Sequence, residues 1–244
     1  MNEQFDIFIK KYDLNDKNIM LKYKHSLRVQ KISEKIAKSE NYDKEKYELS
    51  SLIGLLHDYG RFYQWKKYKT YKDKDSIDHG DYGAKELFES NQITKFYKNK
   101  NNYNIIYEAI KYHNKYKIPD DVQSKEMCNL IRDADKLDIL YMYTIGIFTP
   151  KEKGNITKKI KETFYKHKLI NSKDIKADID IMIRTLGLIY DLNYNYSYVY
   201  LKQDKIIEKI YDKVKDKEKL KPYFEEINKY IERKIGDENV RKEI

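Results

Sequence analysis

The stretch SSLIGLLHDYGRFYQW, residues 50–65, decides how this chain is read. An apolar run from Leu52 to Leu56 ends on His57 and Asp58, and Tyr59, Gly60 and Arg61 follow. Leu49, Leu52, Ile53 and Leu56 share one helical face, so the run is a core-facing helix that finishes on a histidine and an aspartate. The two either cap the helix end or hold something. Neighbours on a helix point about 100° apart, because a turn takes 3.6 residues. His57 and Asp58 can therefore border one cavity if it lies off the helix end, where the chain is expected to unwind at Gly60. An aspartate in that place has two oxygens and can touch two cations at once.

The helical period continues outward from this stretch. His25, Val29, Ile32 and Ile36 step along one face, and so do Ile106, Ala109, Ile110 and His113. Residues 126–148 are predicted to be helical and carry Leu130, Ile131, Ala134, Asp135 and Ile139. Further helices are predicted over 156–168, 174–191, 196–215 and 217–235. The stretch YDLNYNYSYVY, residues 190–200, reads as a turn entering a helix rather than a strand. Eight glycines and three prolines leave few breaks, and no alternating strand pattern stands out. The best candidate joint is FTPKEKGN, residues 148–155, which divides the chain into 1–150 and 151–244 within what reads as one structural domain.

A length of 244 residues allows a sizeable core. No apolar stretch approaches the eighteen or so residues of a membrane span. The opening MNEQFDIFIKKYD is not read as a signal peptide, and the single cysteine, Cys128, fits a reducing compartment. A cytoplasmic protein without membrane partners is expected. The net charge of +10 is spread among 40 acids, which reads as a solvated surface and not as a nucleic-acid site. Basic residues are overwhelmingly lysine. The six arginines are 28, 61, 132, 184, 233 and 241.

Five histidines occur, at 25, 57, 79, 113 and 167. Several interrupt or end an apolar helical face, and Asp58 and Asp135 lie on similar faces. Burying imidazoles and carboxylates together is costly unless they are paired or coordinate a cation. Imidazole with carboxylate suits Mn, Fe, Co, Ni or Zn, and carboxylate-rich sites also take Mg. His167, on the basic amphipathic segment KKIKETFYKHKL, reads as a surface residue.

The order His25, His57–Asp58, Asp135 resembles the signature of the HD-domain metal-dependent phosphohydrolases. The local text agrees, with HSLRV at the first histidine, LLHDYGRF at the doublet and DADKLD at the last aspartate. The resemblance selects Asp135 over Asp133, because the family's final ligand lies in an Ala-Asp-Lys/Arg-Leu run. Subfamilies with two metals add two histidines between doublet and final aspartate. DHGDYGAKEL and IKYHNKY supply His79 and His113 in that order. The resemblance covers roughly residues 20–145. Uncharacterised bacterial members are similar in an HDxGRFxQ pattern and in an FDLN-like segment, here YDLN.

That likeness implies an all-α HD-domain helical bundle with a helical C-terminal extension. It implies one or two divalent ions on His25, His57, Asp58, His79, His113 and Asp135, with Asp58 bridging. The activity implied is hydrolysis of a nucleotide or another small phosphorylated substrate by a metal-activated hydroxide. Alternatives on the same frame are a di-iron oxygenase and a non-catalytic ligand-sensing module.

Around the ligands, Arg61 lies three residues past Asp58 and offers phosphate a fork that lysine lacks. It is read, with Gln64, as a substrate contact and, with Asp58, as catalytic. Lys136 is a further substrate candidate, though a solvated helix residue is the commoner case. Arg28 and Arg132 are expected to pair with carboxylates such as Asp133 or Asp138. Asp78 either orients His79 or caps the helix starting near Gly80. Trp65 and Tyr59 can stack on a base, although aromatics beside a buried doublet are usually packing.

Overall fold

The structure is a computed structural model that describes residues 1–242. It is all-α, with no strand among the described residues. Two compact units divide the chain, Met1–Asp135 and the residues from Lys136 onward.

The first unit is built on α1 (Asn2–Ile9), α2 (Lys17–Ser39), α3 (Lys44–Leu56), α4 (Tyr59–Tyr68), α5 (His79–Glu89), α6 (Tyr103–Tyr112) and the start of α7 (Lys125–Thr144). Aspartates begin several of them. Asp16 accepts from the Asn18 amide ahead of α2, and Asp43 from the Lys46 amide ahead of α3. Each satisfies a helix-end N–H that has no partner within the helix. From Leu49 to Leu56 every residue of α3 is buried, including Ser50, Ser51 and Gly54. A helix covered on all sides is a central one, and α3 packs on α2 and α6. Each fully buried leucine or isoleucine along it stabilises the unit by about 1.5–3 kcal/mol.

Helix α1 was not legible as an element from the sequence. It supplies Phe5 and Phe8 to an aromatic cluster with Tyr12 and Phe62. Tyr59 joins this cluster, its ring stacked on Phe8 at 4.0 Å, so it is packing. Trp65 donates its indole N–H to Asp16 at 2.7 Å and leans on Tyr71.

The second unit contains the remainder of α7, then α8 (Lys158–Tyr165), α9 (Asp178–Gly187), α10 (Asn195–Gln203), α11 (Ile206–Asp212) and α12 (Lys217–Lys242). The helix predicted over 196–215 is two helices. Lys205, with φ near +50°, breaks it. Continuing the period of the buried Tyr198 and Leu201 would turn Lys205, Glu208 and Asp212 inward. The break resets the phase and buries Ile206, Ile207 and Ile210 instead. His167 follows the end of α8. It is half-buried, paired with Glu226 at 2.8 Å and packed against Tyr190 and Tyr230. No helix among the described residues is long and apolar enough to cross a membrane.

Candidate metal centre

The chain bends at Asp58 itself and not at Gly60. Helix α3 ends at Leu56, His57 remains helical, and Asp58 has φ −97° and ψ 19° before α4 starts at Tyr59. That sparsely allowed bridge conformation is common at active sites. Although Asp58 stands at the N-cap position of α4, its carboxylate makes no capping bond. It turns inward.

Gly60 has a steric task. A Cβ there would sit 2.3 Å from the carbonyl oxygen of His79 and 3.0 Å from the amide nitrogen of Gly83. Gly83 would strike the Gly60 amide in return, at 2.9 Å. The first turns of α4 and α5 thus touch backbone to backbone, which brings His79 beside Asp58. Gly80 plays the same part towards the C-terminal end of α6, where a Cβ would meet the Lys111 carbonyl oxygen at 2.9 Å. His113 follows α6 directly.

The six residues singled out from the sequence converge. His25 Nε2 lies 3.2 Å from His57 Nε2, 3.1 Å from Asp135 Oδ1 and 3.4 Å from Asp58 Oδ2. His79 Nε2 lies 3.0 Å from His113 Nε2 and 3.4 Å from Asp58 Oδ1, and His113 Nε2 lies 3.7 Å from that same oxygen. The two oxygens of Asp58 therefore face two different histidine pairs. Five of the six residues are buried, and Asp135 is partly so.

Donor chemistry decides what this arrangement suits. His57 Nδ1 lies 2.8 Å from the Gly54 carbonyl oxygen and His113 Nδ1 lies 2.6 Å from that of Ile110. A carbonyl only accepts, so both Nδ1 atoms carry a proton, and in the neutral ring Nε2 then presents a lone pair. His79 Nδ1 lies 2.8 Å from Asp73 Oδ2, which likewise leaves Nε2 bare. Two bare imidazole nitrogens 3.0 Å apart, as in His79 and His113, repel unless a cation lies between them. Donors around one ion at bonds of about 2.1 Å stand roughly 3.0–3.4 Å apart at octahedral or tetrahedral angles. The shortest spacings fall in that range and the longest reach 3.8 Å, and His25, His57 and Asp135 form one group able to hold an ion while His57, Asp58 and His113 form another.

Electrostatics keeps the donors in their binding forms. Burial pushes His57 down to about 3 and, with Arg61 adding to it, His79 down to about 4. Both are neutral near pH 7. Burial alone would raise the Asp58 carboxyl, but Lys22 and His57 hold it well below the usual carboxylate range. Asp135, only partly buried, is held low by its contact with His25, which outweighs the rise that burial would cause.

Two site residues escaped sequence reasoning. Lys22, one turn before His25, places its ammonium 2.7 Å from Asp58 Oδ2 and 5.4 Å from the centre of the Tyr71 ring. Its i, i+3 spacing from His25 was the available signal. Asp73 lies on the 70–78 loop in no recognisable motif, and nothing in the sequence marked it. By contrast Asp78 caps α5, accepting from the amides of Gly80 and Asp81 at 3.1 Å each. Asp73 is the carboxylate at the His79 ring.

The remaining candidates are placed as follows. Arg61 Nη1 donates to Gln64 Oε1, the Tyr71 carbonyl and Asp73 Oδ1 at 2.6, 2.6 and 2.8 Å. Gln64 is fully buried and donates to Asp73, Ser76 and the Ile77 carbonyl. Arg132 donates to the carbonyls of His113 and Lys115 at the end of α6. Lys136 is buried, not solvated, and pairs with Asp191 at 2.7 Å within the second unit.

No curated protein and no solved structure matches this chain. Residues 23–140 match the family model of the HD domain. The matched segment holds all six converging residues on an all-α frame: residues 23–140 of this chain form an HD domain.

Proposed function

We propose that the protein is a metal-dependent phosphohydrolase acting on a nucleotide or another small phosphoester. The single observation that carries this reading is the split of Asp58, one oxygen towards His25 and His57 and the other towards His79 and His113. A carboxylate so disposed would be able to bridge two cations. A pair of divalent ions supplies a water of lowered pKa as nucleophile and neutralises phosphate charge.

The chain's own residues do the rest. His25, His57 and Asp135 would hold one ion, His79 and His113 the other, and Asp58 would reach both. The Nδ1–H bonds to Gly54, Ile110 and Asp73 stop the rings from turning, so Nε2 stays aimed inward. The ions can be Mn, Fe, Mg, Ni, Co or Zn, since an imidazole–carboxylate set accepts all of them in some geometry. Lys22 is the ammonium paired with the bridging carboxylate, and we assign it to steady the substrate phosphate once ions take over the neutralisation of Asp58.

The test is elemental analysis of protein purified without chelator, followed by an anaerobic screen of nucleotides and small phosphoesters with Mn or Mg. Phosphate release is the expected result. Activity that requires iron and oxygen and vanishes without air would overturn the assignment in favour of an oxygenase. Bound metal without turnover on any phosphoester would leave a ligand-sensing module.

A further inference from the structure

The Arg61 and Gln64 of GRFYQ sit at i and i+3 on α4, one face of one turn. Both reach into the loop over residues 70–78 that precedes α5. Gln64 Nε2 lies 2.9 Å from Asp73 Oδ1, 2.8 Å from Ser76 Oγ and 3.0 Å from the Ile77 carbonyl. Arg61 adds the Tyr71 carbonyl and Asp73 Oδ1. Its Nε, 3.6 Å from Asp58 Oδ1, makes no hydrogen bond. Asn114, the residue after His113, approaches the other oxygen of Asp73 at 3.2 Å. Asp73 is thereby gripped by three side chains, and it passes that constraint to the His79 ring at 2.8 Å.

We propose that Asp73 is the positioning residue for the second ion, and that Arg61 and Gln64 are its clamp rather than contacts to substrate. The loop has only a three-residue 3-10 turn, Asp73–Asp75, to order it by itself. Without the clamp Asp73 keeps only its contacts with Asn114 and His79. Without Asp73 what remains at His79 Nδ1 is the Asn114 amide nitrogen 3.3 Å away, a donor that favours the ring proton on Nε2. A phosphate reaching Arg61 Nη1 would have to displace three acceptors already within 2.8 Å, one of them a carboxylate. The inference rests on the two-ion reading of the cage and not on the identity of the substrate.

Two measurements on the full chain test it. In protein stripped by chelator, nitrogen-15 shifts of the His79 ring are expected to report the proton on Nδ1, and Asp73→Ala to move it to Nε2. Manganese binding is expected to show two ions in the unaltered chain. Asp73→Ala should weaken one of them by about ten- to a hundredfold and leave the other unchanged. Asp73→Asn keeps an acceptor and the loop's size, so it should retain the Nδ1 proton and bind the second ion more weakly than the parent. It also keeps the proposal testable if the alanine variant unfolds. Combining Asp73→Ala with His79→Ala should bind no more weakly than His79→Ala alone. A His79 proton indifferent to Asp73, or further weakening in the double variant, overturns the proposal. Failure of every phosphoester to turn over while these results hold would sink the hydrolase reading alone.

Discussion

His25, His57 and Asp135 come from three long helices, α2, α3 and α7, whereas His79 and His113 stand at the ends of the shorter α5 and α6. In the first half of the centre the donors stand on helices of the core, and the His57 ring is aimed by the Gly54 carbonyl of its own helix. In the second half the aim depends on a backbone contact between Gly60 and Gly83 and on a clamped loop. The first half is thus as stable as the core it is part of. The second is an accessory fastened to it, open to local loosening without global unfolding.

The sharpest way to break both halves together is Asp58→Asn. It keeps size and removes the charge that each half shares. Turnover should fall to background and bound metal should drop, with the helical circular dichroism intact. A variant with normal turnover would remove Asp58 from the mechanism.

Acid should act on both halves next most strongly. His57 and His79 are pushed down by burial to about 3 and about 4, below the unfolded value of about 6.5. Between those values the unfolded chain takes up protons that the folded chain refuses, so stability falls as pH falls. Each histidine should cost the chelated protein about 1.4 kcal/mol per pH unit below about 6.5. Urea midpoints at pH 7 and pH 5 measure this, and equal midpoints would contradict the burial of uncharged rings.

Gly60→Ala separates the halves. Its methyl group would meet the His79 backbone, which cannot rotate away, so α5 must shift. A loss of about 1–3 kcal/mol is expected from overpacking. Affinity for one ion should fall while that of the His25–His57–Asp135 group persists. Equal weakening of both ions would erase the distinction drawn above.

The smallest effect belongs to Lys22→Ala. The ammonium neutralises Asp58 on the side facing His25 and His57. Its loss should cost the chelated protein about 1 kcal/mol, because the pair is only partly buried. The metal-loaded protein should lose less, since ions take over the neutralisation. Thermal melts with and without manganese give both numbers.

Residues 50–65 show how far sequence reading reaches. The apolar period ending on His57 and Asp58 placed α3 in the core and put the doublet at its end. The same period placed His25, His113 and Asp135, since a helical face is a local property that spacing alone reveals. It also marked Gly60 as special while misplacing the bend, which falls at Asp58. Helix α1 and the break at Lys205 escaped because their cause is distant. Phe5 and Phe8 are ordered by Phe62 and Tyr59, and the break answers to which side of the chain the core lies on.

By itself, then, the sequence determined the all-α character and, through the family resemblance, the candidate ligand residues and their order along the chain. Only the tertiary structure decided which oxygen of Asp58 serves which histidines, and that Asp73 rather than Asp78 holds the His79 ring. It also decided that Arg61 and Gln64 point to a loop. These are questions of direction between segments far apart in sequence. Helical spacing sets the face on which a side chain stands, whereas hydrogen bonding in a buried, low-dielectric setting sets where its polar atoms finally point.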